Sequence, residues 1–174
     1  MKKILLVLVP VLAVILTGCS TAMVDMEETY GIFKENMTNG YVITEEVSGY
    51  TVTLDYTSDE DYKFDIEMDG TTIAVTCGQG ESTMEFADEE PVTSTDVTEY
   101  CVELRDEINS DLTKNVENEM FYDAGYLVEY TATDEGFEAV GTYDDDTTNS
   151  LKINTDGTKL EFKDSTWFFS VETK

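Results

Sequence analysis

Tyr62-Lys63-Phe64-Asp65-Ile66-Glu67-Met68-Asp69-Gly70-Thr71-Thr72-Ile73-Ala74-Val75-Thr76-Cys77 decides the fold class of this chain. Apolar and polar residues alternate from Tyr62 to Met68, and the alternation resumes at Ile73, Val75 and Cys77. That period of two belongs to strands with one buried and one wet face. Asp69-Gly70 separates the two runs, and a tight hairpin needs residues that tolerate positive φ there. Tyr50, Val52, Leu54 and Tyr56 alternate in the same way upstream. Shorter runs follow at Met84 with Phe86, around 118–123, at Tyr126-Val128-Tyr130, from Phe137 to Tyr143, at Leu151-Ile153, at Leu160-Phe162 and from Trp167 to Val171. Glu135-Gly136 and Asp156-Gly157 mark further turns. Together these are the signals of an antiparallel meander.

Two segments break the alternation with helical spacing. Met26, Tyr30, Phe33 and Met37 fall on one face of a helix expected over 25–38, with Asp25 and Glu28 as a capping pair and Asn39-Gly40 as its stop. Val97, Cys101, Leu104, Ile108 and Leu112 do the same over 95–113, with Asp96 and Glu99 at its start. The two helix faces map onto one another at a constant offset, and Gly49-Tyr50 and Gly125-Tyr126 begin comparable strands. The expected fold class is α+β: two helices packed on a large curved antiparallel sheet, in the order helix, meander, helix, meander.

The chain begins Met1-Lys2-Lys3, followed by an apolar run from Ile4 to Leu16 that contains Pro10. A membrane-spanning helix takes about 20 apolar residues, so the run is too short to span. A basic start and a short apolar stretch make an export signal. Its end, Leu16-Thr17-Gly18-Cys19, resembles the lipobox of bacterial lipoproteins. The resemblance implies that residues 1–18 are removed and that Cys19 carries the lipid. It also implies residence on the extracytoplasmic face of the cell membrane; the chain beyond it divides into a short lipid-anchored tether at 19–24 and a stretch at 25–174 whose size suits a single domain.

The element order from 25 to 174, with Tyr62-Lys63-Phe64-Asp65-Ile66 before Asp69-Gly70, resembles two families of exported proteins. One is the lipoprotein-carrier fold, a half-open antiparallel barrel lidded by helices that holds acyl chains. The other is the tandem helix-plus-meander fold of secreted inhibitor-like proteins, whose sheet binds a protein. Fold alone does not choose between them.

Cys77 lies on a strand face with Ile73 and Val75, and Cys101 lies on the apolar stripe of the second helix, so both point toward one core. An oxidising compartment permits a disulfide between them; the alternative is two separately buried thiols. Acidic runs at Asp59-Glu60-Asp61, Asp88-Glu89-Glu90 and Asp144-Asp145-Asp146 lack the spacing of a calcium-binding loop and read as solvated turns. No nucleophile elbow, phosphate loop or zinc motif is present, and the chain has no histidine. The expectation is a non-enzymatic protein without a cofactor, a catalytic residue or a metal ligand.

Acidic residues number 38 against 10 basic ones, for a formal net charge of −28. That balance excludes nucleic acid as a partner, because binding it requires a basic footprint. Trp167-Phe168-Phe169 places aromatics on both faces of the last strand, which calls for cover on both sides or for a cleft. Two readings follow for the lipoprotein. It binds a lipid or other apolar ligand within its sheet, or it is a structural or interaction protein that takes a basic partner on its acidic surface.

Overall fold

The computed structural model describes residues 5–174 apart from 79, 88, 115–126 and 144–146, with the backbone alone for 5–20 and 127. The strand expected around 118–123, the Gly125-Tyr126 strand start, Asp88 and the Asp144–Asp146 run lie outside the described residues. The elements run in the order α1 (Leu5–Met37), β1 (Tyr41–Val47), β2 (Tyr50–Ser58), β3 (Asp61–Met68), β4 (Thr71–Gly78), β5 (Ser82–Phe86), β6 (Val92–Ser94), α2 (Thr95–Asp111), β7 (Leu127–Ala132), β8 (Gly136–Thr142), β9 (Thr148–Asn154), β10 (Lys159–Lys163) and β11 (Trp167–Thr173).

All eleven strands form one sheet, in the order β6-β5-β4-β3-β2-β1-β11-β10-β9-β8-β7, and every pairing is antiparallel. The first meander runs outward from the centre, and the second runs inward from the opposite edge. They join where β1 pairs with β11, Tyr41 opposite Thr173 and Val47 opposite Trp167. The Asp69-Gly70 turn behaves as its residue types require, with φ of 51° and 79°.

Alternation sorts the sheet into two faces. Ile43, Leu54, Phe64, Val75, Leu151, Leu160, Phe162, Phe169 and Val171 are buried on one face. Both helices cover that face. α2 packs on β4, β5 and β6, and α1 packs on β7, β8, β9 and β11. Each helix therefore covers a meander other than the one that follows it in the chain. Met26, Tyr30 and Phe33 of α1 and Val97, Cys101 and Ile108 of α2 complete one continuous apolar core. Fully burying an apolar side chain stabilises by about 1.5–3 kcal/mol, so this interface is the main source of stability.

α2 starts at Thr95 as expected, but the start of α1 and both expected capping pairs are corrected. Asp25 and Glu28 do not cap α1, because the helix already runs from Leu5 and passes through 19–24, where Ala22 is buried. Thr29 instead donates its hydroxyl to the Asp25 carbonyl at 2.8 Å. The N-cap of α2 is Ser94 rather than Asp96. The Ser94 backbone is extended, and its hydroxyl accepts from the Val97 amide at 3.2 Å. Asp96 lies within the first turn, where its charge complements the helix dipole.

Two fastenings hold α2 down. Cys77 and Cys101 form a disulfide with Cα atoms 6.1 Å apart. At the other end of the helix, Asn109 accepts from the Tyr41 hydroxyl at 3.0 Å. The sole arginine, Arg105, bonds Asp59 and Asp106 at 2.9 Å and lies over the Tyr62 ring. Tyr41, Tyr56, Tyr62 and Phe64 form a chain of ring contacts across β1, β2 and β3 beneath it.

Candidate functional site

The second face of the sheet carries no helix among the described residues. Its central row is Ser170 on β11, Thr44 on β1, Thr53 on β2, Asp65 on β3 and Ala74 on β4, none of them buried. Four of these five side chains are short and uncharged.

A groove of about 670 Å³ opens at one end of this face, between the β1–β2, β3–β4 and β10–β11 turns. Its floor is a single cross-strand row. Lys163 stands opposite Phe168, Phe168 opposite Glu46, Glu46 opposite Thr51, Thr51 opposite Glu67, and Glu67 opposite Thr72. Asp69 and Asp164 add carboxylates at the rim. A hollow of about 310 Å³ continues it toward β9 and shares Lys163, Asp164 and Ser165. Phe168, which alternation aims away from the core, is half-buried in this groove.

Trp167 borders the groove and turns its ring to the core face. Asp164 fixes the approach to it, accepting from the backbone amides of Thr166 and Trp167 at 2.7 and 2.8 Å. The Trp167 ring packs against Phe162 and Phe169, with centroids 5.0 and 5.4 Å away. Its indole N–H donates to Glu45 Oε1 at 2.8 Å. Glu45 is a carboxylate on the core face, only 7% exposed. Burial pushes its pKa up, the indole hydrogen bond opposes that shift, and Asp111 and Glu107 of α2 add to it. Burial also raises the Asp111 carboxyl, with Glu107 acting in the same direction.

Lys163 stands at one end of the groove floor, without an ion pair among the described residues, and the other cations of the helix-free face lie outside the groove. Lys63 and Lys174 pair with Asp55, Lys152 with Glu138, and Lys159 with Glu161 and Glu172. Glu46 and Glu67, in the groove, have no ion pair among the described residues.

The sequence-predicted residues divide clearly. Cys77 and Cys101 are brought together. Leu16, Gly18 and Cys19 lie on the backbone of α1, and their side chains are outside the described residues. Among the described residues no helix is long and apolar enough to cross a membrane, and no group of acidic or cysteine side chains could hold a metal ion. Asp59 of the first acidic run serves structure, through Arg105 and the Tyr56 hydroxyl. The Glu45–Trp167 pair and the Glu46–Glu67 row went unread in the sequence. The available signal was Trp167-Phe168-Phe169, whose double-faced aromatics mark the groove. No protein-family model and no curated protein sequence matches the chain.

Proposed function

We propose that the chain is a non-enzymatic bacterial lipoprotein, anchored through Cys19 on the extracytoplasmic face of the cell membrane, that binds a basic protein partner on its helix-free sheet face. One observation carries the binding half: a broad polar face with no helix over it among the described residues, whose groove carboxylates Glu46 and Glu67 have no ion pair among those residues, on a chain of net charge −28. Such a surface attracts cationic partners at a distance and discriminates against anionic ones. The anchoring half rests on Leu16-Thr17-Gly18-Cys19 after an apolar run, and the Cys77–Cys101 disulfide suits an oxidising compartment.

The apolar-ligand reading has less support. Phe33, Phe64, Phe162 and Phe169, all fully buried, fill the space between helices and sheet that an acyl chain would need. The grooves described here open on the polar side instead.

The full chain, expressed in a lipoprotein-exporting bacterium, tests both halves. Cys19→Ala is expected to move the protein from the detergent phase to the aqueous phase on phase partition, and an aqueous wild type would end the anchor. The detergent-solubilised protein is expected to bind an oligolysine peptide, with affinity falling at least about tenfold between 50 and 500 mM salt as screening shortens the reach of its charges. A lipid-sized mass that stays bound in native mass spectrometry, with no oligolysine binding, would restore the apolar-ligand reading.

A further inference from the structure

The contact itself can be placed within the reading of a basic partner, on which this inference rests. Glu46 on β1 and Glu67 on β3 stand in one row with Thr51 of β2 between them. Neighbouring strands lie about 4.8 Å apart, so the two carboxylates spring from backbone positions about 10 Å apart. Both are exposed and lack an ion pair among the described residues. Phe168 lies directly beside Glu46 and offers an aromatic face next to a carboxylate. That combination holds a cation through charge on one side and the ring quadrupole on the other. Thr51 and Thr72 keep the floor low. Lys163, beyond Phe168, repels a cation there and restricts the cationic contact to the Phe168–Glu67 stretch.

We propose that this groove receives an extended basic segment of the partner protein, with one lysine or arginine against Phe168 and Glu46 and a second against Glu67. A polyproline-type segment returns residues i and i+3 to one side about 9 Å apart, so basic residues three apart match the row.

The probe is a synthetic peptide with two lysines three residues apart in a Ser/Pro background, titrated into the full-length detergent-solubilised protein. Expected is saturable binding in isothermal titration calorimetry, and an affinity at least about tenfold lower for Glu46→Lys/Glu67→Lys, since reversing groove charges turns attraction into repulsion. Glu46→Gln/Glu67→Gln should show a smaller loss in the same direction, and Phe168→Ala a loss of about threefold. Glu85→Lys/Glu129→Lys makes the same change in net charge on this face outside the groove, and it should leave affinity within about twofold. An equal loss in both charge-reversed variants would overturn the groove while leaving the basic-partner reading intact. No peptide binding at low salt would overturn both. Thermal midpoints of the variants near that of the wild type identify any loss as one of binding rather than folding.

Discussion

Glu45 breaks the pattern of its strand, and the break has consequences. It points into the core face, where alternation calls for an apolar side chain, and the Trp167 indole answers one of its oxygens. Its folded-state pKa is raised, chiefly by burial, with Asp111 and Glu107 facing it from α2. A raised carboxyl contributes stability that is fully present below the unfolded value near 4.5 and is lost as pH rises through the folded value. Glu45→Gln is therefore expected to raise the thermal midpoint at pH 7, with the advantage shrinking as pH falls toward 4.5. An advantage constant across that range in a melting series would sink this account. Gly136 is the second decisive residue. Its φ is 152°, and a Cβ there would press on the Ile153 carbonyl oxygen. Gly136→Ala should cost more than about 2 kcal/mol in denaturant unfolding, because the obstacle is backbone and the strained φ adds to it. Turn patterning had marked Glu135-Gly136. The identity of the obstacle was illegible, since it comes from a strand later in the chain.

Among the elements, the most strongly patterned ones were the most readable. The strands β2 to β5 and β7 to β11 coincide with runs of alternating residues, and the apolar face expected for α2 is the face that packs. β1 was missed. Tyr41-Val42-Ile43-Thr44-Glu45-Glu46-Val47 places an apolar residue on the wet face and a carboxylate on the dry one, so its period is blurred. It is nevertheless the strand through which both meanders join, and partners on both sides stabilise it where its own pattern does not. Its far neighbour β11 lies more than a hundred residues away, so no local window contains the pairing. α2 is held by its apolar face, by Tyr41 and Arg105, and by the disulfide. Removing the disulfide with Cys77→Ala/Cys101→Ala is expected to lower stability by about 3 kcal/mol, from the loop entropy returned to the unfolded chain. Equal chemical-denaturation midpoints for the variant and the oxidised wild type would contradict that.

For the whole molecule, charge sets behaviour in solution. With net charge −28, self-repulsion opposes compactness, so the thermal midpoint should rise as salt is added across the range where the Debye length falls from about 30 to 8 Å. A midpoint that falls or stays flat in a salt series would show that the Lys63, Lys152, Lys159 and Lys174 pairs outweigh the repulsion. The same arrangement pairs Lys63, Lys152, Lys159 and Lys174 outside the groove and leaves Glu46 and Glu67 without an ion pair among the described residues. Acidity, strand period, helix faces and the lipobox-like start were legible in the chain because each is a property of nearby residues. That the meanders share one sheet, that each helix crosses to cover the other meander, and that Phe168, Glu46 and Glu67 fall in one row were settled only in three dimensions. Those facts depend on register between distant strands, and a shift of one residue would send the whole row to the opposite face.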